Sequence, residues 1–251
     1  SMAEKLKYFV NGQFRESKTD KWYDLHNPST GEITGQAPCC TNDEVLEAIA
    51  AAKAAYPGWS ATPAIKRAQI LYRVRELILE RMDELTMSVA KENGKVWAES
   101  EGDVLKAKEG TELATQVPSL MMGESIMDAS RGYDTVKYRE PLGVFAGIVP
   151  VNFPAMIPFG WMAPTCIATG NTLVLKAASL TPKTAMLFAQ LYKDAGVPDG
   201  VINVVTCSRN EINTILEHPD VKGITFVGST PVGLKIYEKA AANGKRCQAL
   251  C

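Results

Sequence analysis

The chain has 251 residues, of which 46% are apolar and 22% charged, so it can bury the core of one large domain or of two modest ones. Its formal net charge of -1 offers no basic excess for nucleic acid, and no stretch approaches the roughly 18 uninterrupted apolar residues of a membrane span. We therefore expect neither a nucleic acid nor a membrane among its partners.

The cysteines and histidines restrict redox and metal chemistry. Cys39 and Cys40 are adjacent, and the other cysteines are scattered through apolar segments without CxxC spacing. Only His26 and His218 are available as imidazole ligands, so we expect no metal site. The first residues, SMAEKLKYF, lack the apolar core of a signal peptide. Together these features predict a reducing, cytoplasmic setting.

The first predicted elements are a hairpin, a loop and a capped helix. Asn11-Gly12 lies between alternating apolar residues, which is the local pattern of a type I′ turn. The stretch DLHNPSTGE, residues 24–32, is rich in turn formers and predicts a loop. Thr41 or Asn42 is placed to cap the helix TNDEVLEAIAAAKAAY, because acidic residues fill its first turn.

Two further helices are predicted before a polar arm. Apolar residues recur at three- and four-residue steps between Ile70 and Val89, and Asn93-Gly94 ends this helix. The next helix is predicted from about residue 98 to 117, ahead of Pro118.

The segment from 123 to 141 is polar, turn-rich and poor in core residues. This composition predicts a β-hairpin arm that leaves the main body. The body is then a discontinuous domain made of residues 1–122 and 142–251.

From Gly143 onward, short apolar runs alternate with helical stretches. The predicted strands are residues 143–149, 172–176, 202–205, 223–227 and 245–250. The predicted helices lie near residues 154–168, 182–195, 209–217 and 230–242. Apolar strands joined by helices are typical of an α/β fold, here an open, doubly wound parallel sheet covered on both faces.

Residues that directly follow the strands are the site candidates, because open parallel sheets bind ligands beyond the carboxyl ends of their strands. In chain order they are Asn152, Lys176, Thr206, Cys207, Gly228 and Ser229. A lysine after a strand can donate to sugar hydroxyls, and a Gly-Ser pair that opens a helix suits a phosphate. The pattern favours a ligand that carries both groups.

Each candidate also has a purely structural interpretation. Asn152 precedes a proline and fits a helix N-cap. Lys176 fits a solvated strand end, and Gly228 and Gly233 fit a tight strand-to-helix turn. The fingerprint GxGxxG is absent, and GSTPVGLK lacks the Lys-Ser/Thr pair of a Walker loop, so a nucleotide kinase is not expected.

Four motifs taken together and in order, PVNFPAMIP, GNTLVLKAASLTP, AGVPDGVINVVT and GITFVGSTPVG, resemble the aldehyde dehydrogenase superfamily. Within it, DKWYDLHNPSTGE, SLMMGES, NFPAMIP and KRCQALC are similar to the CoA-acylating methylmalonate-semialdehyde (malonate-semialdehyde) dehydrogenases. The resemblance covers nearly the whole chain from the VNGQF hairpin onward. It implies a Rossmann-like NAD-binding domain, an oligomerisation arm at residues 123–141, and a homodimer or homotetramer.

The resemblance also implies a role for each candidate residue. Asn152 would donate its side-chain amide to the oxyanion that develops on the aldehyde carbonyl. Lys176 would hold the adenosine ribose of the cofactor. The other implied cofactor-binding residues are Pro150, Val151, Ser179, Gly228, Ser229 and Gly233.

Two departures from the family pattern concern the nucleophile and the acyl acceptor. The family cysteine nucleophile lies beyond the segment in which this chain stops, so we expect an amino-terminal, cofactor-binding portion without the catalytic domain, inactive alone. Hydrolytic relatives carry a glutamate in the last strand, where this sequence has Leu250 or, one register earlier, Ala249. Water needs a general base to attack a thioester, whereas a thiol supplies some thiolate itself, so coenzyme A is favoured as acceptor.

Two further departures concern recognition. Ser179 stands where NAD-preferring relatives have a glutamate, so NAD is preferred while NADP stays possible. Lys106 stands about where the subfamily has an arginine that contacts the substrate carboxylate. Lysine pairs with a carboxylate as a point charge rather than as a bidentate fork, and a solvated helix face is the competing interpretation of Lys106.

The function implied is an oxidoreductase that converts methylmalonate or malonate semialdehyde to an acyl-CoA with reduction of NAD. One alternative is a hydrolytic, NAD(P)-dependent semialdehyde dehydrogenase. The other is a non-catalytic dinucleotide-binding or oligomerisation module. The sequence leaves the true aldehyde substrate open.

Overall fold

The computed structural model describes residues 3–251. Its strands are β1 Glu4–Lys5, β2 Tyr8–Val10, β3 Gln13–Arg15, β4 Trp22–His26, β5 Ile33–Pro38, β6 Glu124–Ser130, β7 Tyr133–Lys137, β8 Val144–Ile148, β9 Thr172–Lys176, β10 Ile202–Val205, β11 Val221–Val227 and β12 Arg246–Leu250. Its helices are α1 Asn42–Ala61, α2 Ala64–Glu80, α3 Met82–Asn93, α4 Trp97–Ala114, α5 Val117–Leu120, α6 Ala163–Ala168, α7 Lys183–Asp194, α8 Arg209–Glu217 and α9 Thr230–Ala242. A π-helix, Ile157–Met162, precedes α6.

The main sheet within the described residues has the order β12-β11-β8-β9-β10-β2-β3. The strands from β8 to β12 are parallel, and β2 and β3 extend the β10 edge in antiparallel fashion. β9 and β10 lie on one side of β8, whereas β11 and β12 lie on the other. The order in which successive strands join the sheet therefore reverses at β8. This confirms the doubly wound α/β sheet and places its topological switch point at the carboxyl ends of β8 and β11.

Alternate residues of the parallel strands enter two separate cores, one on each face of the sheet. Leu173 and Leu175 of β9 pack with α2, α3, α4, α6 and α7. Val174, between them, packs with α1, α8 and α9 on the other face. The period of two in the strands therefore explains why Leu173, Val174 and Leu175 are all apolar and buried.

Several local predictions are confirmed at the level of backbone and caps. Asn11 and Gly12 have φ values of 55° and 73°, as a type I′ turn requires. Thr41 caps α1 through a capping box with Glu44. Gly94 ends α3 in the left-handed conformation with φ 66°.

Two local predictions need correction. Of the loop predicted at residues 24–32, residues 27–32 lie outside any strand or helix, but residues 24–26 belong to β4, which pairs with β5. Leu25 is the one buried residue of β4, and the other four are partly buried or exposed, so the strand has no clear apolar alternation in sequence. The long helix around Ile70–Val89 is two helices, because Arg81 between them has φ -105° and ψ 18°. Buried apolar residues recur at helical spacing on both sides of Arg81, so the sequence pattern does not indicate the break.

The arm is a two-stranded hairpin of β6 and β7 that pairs with no other strand in the described range. Every residue of both strands is exposed, including the large apolar side chains Ile126, Met127, Tyr133 and Val136. No helix within residues 3–251 is long and apolar enough to cross a membrane.

Candidate active site

The residues that follow β8 and β11 meet in one cleft at the switch point of the sheet. Its volume is about 340 Å³. The lining residues are Pro150, Asn152, Phe153, Met156, Ile157, Trp161, Val227, Gly228, Ser229, Leu250 and Cys251. Val151 is exposed and does not line this cleft. The structure therefore brings Pro150, Asn152, Gly228 and Ser229 together from two neighbouring strands.

Asn152 is not the cap of the helix that follows it. Asn152 is exposed, and its side-chain amide makes no hydrogen bond to any residue within 3–251. The backbone N–H groups of Ala155 and Met156 donate instead to the carboxylate of Asp103, at 3.2 Å and 2.9 Å. Because Asp103 has taken over the capping role, the Asn152 amide is free to face the cleft.

Asp103 lies on α4 and is only 4% exposed. Burial raises the pKa of this carboxyl group, and the N–H donors of Met156 and Ala155 and the charge of Lys95 partly offset the increase. The carboxylate also lies where the N-terminal end of a helix attracts negative charge. Sequence reasoning missed Asp103, because it lies 52 residues before Ala155 and has no recognisable local motif.

The backbone of Asn152 is held from the turn between α3 and α4. The Asn93 amide donates to the Asn152 carbonyl at 2.9 Å, and the Lys95 ammonium donates to the same oxygen. Lys95 also lies over the Phe153 ring, 4.2 Å from its centroid. The loop that carries Asn152 is thus fixed on both sides of its side chain.

A second cleft, of about 520 Å³, opens beyond β9 and between α8 and α9. It is lined by Tyr23, Ile148, Lys176, Ser179, Cys207, Ser208, Arg209, Ile212, Asn213, Leu216, Val232, Lys235, Ile236 and Lys239. Lys176 is half-buried and has no ion-pair partner among the described residues, and burial lowers its pKa. A lysine of this kind has free donors for the hydroxyls of a ligand.

The two clefts lie on the same edge of the sheet. Ile148 of β8 lines the second cleft, and Pro150, two residues further along, lines the first. Ser229 at the start of α9 lines the first, and Val232 in its first turn lines the second. An extended ligand can therefore run from Asn152 past the start of α9 to Lys176.

The N-terminus of α9 lies between the clefts. Ser229 is the N-cap residue, and no side chain accepts from the first N–H groups of this helix. Free N–H groups at a helix start form an anion site. At Gly228 an added Cβ would lie 2.5 Å from the Phe226 ring, and at Gly233 it would lie 2.4 Å from Cys251 Sγ. Packing against the buried Phe226 ring therefore favours glycine at Gly228, whereas at Gly233 the nearest atom belongs to the exposed side chain of Cys251. Gly233 lines neither cleft.

Lys106 lies apart from the other candidates. It is exposed on α4, and its ammonium pairs with Glu109 at 3.0 Å. It lines neither cleft. Within residues 3–251 no group of three or more His, Cys, Asp or Glu side chains is arranged to hold a metal ion.

Most of the cysteines are poor nucleophiles in this structure. Burial raises the pKa of Cys166 and of Cys207 to about 12, and it also raises the pKa of Cys40 and of Cys247. Thiols with such values stay protonated at neutral pH. Cys251 is exposed at the end of β12 and is the one cysteine of the described chain that lines the first cleft.

Comparison with known proteins agrees with this geometry. The chain is 46% identical over 248 residues to malonate-semialdehyde dehydrogenase 2 of Geobacillus kaustophilus. It is 44% identical over 249 residues to the acylating, mitochondrial methylmalonate-semialdehyde/malonate-semialdehyde dehydrogenase of Rattus norvegicus. Both matches cover 99% of this chain, but only 51% and 46% of those proteins, so the chain spans about half the length of these relatives.

A solved structure and a family model extend the comparison. A protein from Sinorhizobium meliloti 1021, crystallised with NAD, superimposes with a TM-score of 0.96 at 36% identity, over 99% of this chain and 50% of that one. The model of the aldehyde dehydrogenase family matches residues 14–251. Because this family model matches most of the chain, and the relatives and the fold agree with it, the chain belongs to the aldehyde dehydrogenase family.

Proposed function

We propose that this chain is the cofactor-binding part of an NAD-dependent semialdehyde dehydrogenase that passes its acyl group to coenzyme A. The free amide of Asn152, at the switch point and in the first of two clefts on one edge of the sheet, carries this proposal. A cysteine thiolate from outside this chain adds to the aldehyde carbon, and negative charge develops on the carbonyl oxygen. Asn152 donates to that oxygen, and donors already oriented toward such a charge are worth about 3–4 kcal/mol.

The proposed NAD site follows the two clefts. Pro150, which lines the first cleft beside Asn152, and the adjoining backbone of Val151 would hold the nicotinamide end, and the bound cofactor would supply the two-electron acceptor. Gly228 and Ser229, at the uncapped start of α9, would hold the pyrophosphate. Lys176 and Ser179, which line the second cleft, would hold the adenosine ribose. Gly233 supports this site by packing, because it contacts Phe226 and Cys251 rather than the clefts.

The lining of the first cleft supports coenzyme A as the acyl acceptor. It contains no Asp, Glu or His side chain, and it includes Leu250, which together with Ala249 is a candidate for the position of the glutamate of hydrolytic relatives. Water is a poor nucleophile toward a thioester without a base, whereas a thiol with a pKa near 8.5 supplies thiolate at neutral pH. The hydrolytic alternative has no base in this cleft to support it.

Ser179 is expected to make the cofactor site tolerant of a 2′-phosphate. The second cleft contains Arg209 and Lys235 beside Lys176, and no carboxylate lines it. Replacing Ser179 by Glu should place a negative charge near the ribose and weaken NADP binding about tenfold or more, while NAD binding changes little. Titration of both cofactors, with Ser179→Gln as the uncharged control, measures this. An equal loss for the two cofactors contradicts it.

We further propose that the arm at residues 123–141 pairs with another copy of the chain. Its exposed apolar side chains, Ile126, Met127, Tyr133 and Val136, support this role.

The semialdehyde carboxylate is proposed to approach Lys106 from the catalytic half, because Lys106 lies outside both clefts of this chain.

The six cysteines are all free thiols, which supports a reducing compartment such as the cytoplasm.

The proposal is tested with the polypeptide that joins this chain to its catalytic half. Malonate or methylmalonate semialdehyde, NAD and coenzyme A should give NADH and an acyl-CoA thioester in equal amounts, detected by absorbance and mass spectrometry. A free acid as the sole product supports the hydrolytic alternative. Absence of NADH formation by a folded protein supports the non-catalytic module.

A further inference from the structure

The helix that follows Asn152 has an unusual start. Pro154 and Pro158 lack N–H groups, and residues Ile157–Met162 are π-helical, with the Ala163 N–H donating to the Pro158 carbonyl. A helix start with few regular bonds has little intrinsic rigidity. Two donors at this start, the N–H groups of Ala155 and Met156, both bond to the buried carboxylate of Asp103.

α4 holds this segment at a second point. An added Cβ at Gly110 would lie 2.1 Å from the Gly160 carbonyl oxygen, so the two backbones are in direct contact. Asp103 is nearly two turns earlier on the same helix. α4 therefore fixes both the start and the middle of the segment that runs from Asn152 to the π-helix.

We propose that Asp103 is a positioning residue, which aims the Asn152 amide through the backbone of residues 152–156, with Asn93 and Lys95 fixing the Asn152 carbonyl. This inference rests on the proposed function of Asn152. The amide itself has no side-chain partner within the described residues, so its direction depends on the backbone that carries it. A displacement of about 1 Å at a reacting centre can lower the rate about 100-fold. The contacts that hold this backbone in place should therefore affect kcat.

A carboxylate is suited to this role, since each of its oxygens accepts one of the two N–H groups. In Asp103→Asn one oxygen is replaced by an amide nitrogen, which is itself a donor. One backbone N–H then loses its acceptor, and the helix start is free to shift. The side-chain volume is almost unchanged, so the core around α4 stays packed.

The test is a double-mutant cycle in the polypeptide that joins this chain to its catalytic half, with malonate semialdehyde, NAD and coenzyme A. Asp103→Asn should lower kcat about 10- to 100-fold when Asn152 is present. In the Asn152→Ala background the same change should lower kcat less than about threefold, because the residue it positions is gone. The NAD dissociation constant should be unchanged throughout, which shows that every variant is folded. Glu99→Gln, at an exposed position of α4, is the matched control and should have no effect.

Equal losses in the two backgrounds would overturn the inference, because Asp103 would then act independently of Asn152. If Asn152→Ala by itself leaves kcat unchanged, the proposed function of Asn152 fails, and this inference fails with it. Asn93→Ala is a second variant that leaves the buried carboxylate in place. It should also lower kcat only when Asn152 is present, and a loss of the same size in both backgrounds would contradict the positioning role.

Discussion

Replacing Asn152 by alanine is expected to lower kcat by about 100- to 1000-fold, which corresponds to about 3–4 kcal/mol of transition-state stabilisation. The amide is free because Asp103 caps the following helix in its place, so its removal does not unfold that helix. The loss should appear in kcat and in kcat/KM alike, since the oxyanion exists only after the thiolate has added. Steady-state kinetics at saturating NAD and coenzyme A measures both.

Asn152→Asp is the matched variant, since it keeps the shape of the side chain and removes both N–H donors. It should lose at least as much activity as alanine, because it places a carboxylate beside the oxyanion. Titration of NAD should give the same dissociation constant for the parent and for Asn152→Ala. Parent-like kcat in both variants would contradict the role of the amide.

Replacing Leu250 by glutamate is expected to create hydrolytic activity. Leu250 ends β12 and lines the cleft that contains Asn152. In the parent, turnover without coenzyme A should be at least about 100-fold slower than with it, because no carboxylate in that cleft activates water. Leu250→Glu supplies a general base, so the rate without coenzyme A should rise about tenfold or more.

The controls for this prediction separate the base from the shape of the side chain. Leu250→Gln has nearly the same size as glutamate and cannot act as a base, so it should leave the rate without coenzyme A at the parent level. Mass spectrometry should identify the free acid as the new product. A parent enzyme that turns over equally fast without coenzyme A would contradict the acylating assignment.

The parallel sheet and its ligand edge follow from short-range patterns, which is why sequence predicts them well. The three central residues of β9, Leu173, Val174 and Leu175, are apolar and buried, and Lys176 marks the carboxyl end of the strand. Each predicted strand from Gly143 onward overlaps an observed one. Because parallel strands all point their carboxyl ends to one edge, the order of elements also predicts that Asn152, Gly228 and Ser229 share a cleft.

The support behind the site depends on contacts between distant residues, and sequence does not predict those. Asn152 before a proline fits a helix cap as well as a free donor, and the choice is made by Asp103 on another helix. The hairpin at Asn11-Gly12 was predicted, but its place beside β10 was not, since a single Cα pair, Val204 with Phe9, sets that register. The free amide of Asn152 and the pairing of β2 with β10 both depend on contacts between residues far apart in the sequence, and no local sequence motif predicts either.

Isothermal titration of this chain with NAD is the most direct test of whether the edge formed by β8, β9 and β11 is a dinucleotide site. We expect saturable binding at a single site, weakened about tenfold by Lys176→Met and unchanged by Lys91→Met, an exposed lysine outside both clefts. A folded chain that binds no NAD at about 1 mM, or that binds it equally well in all three forms, would contradict the assignment of the site.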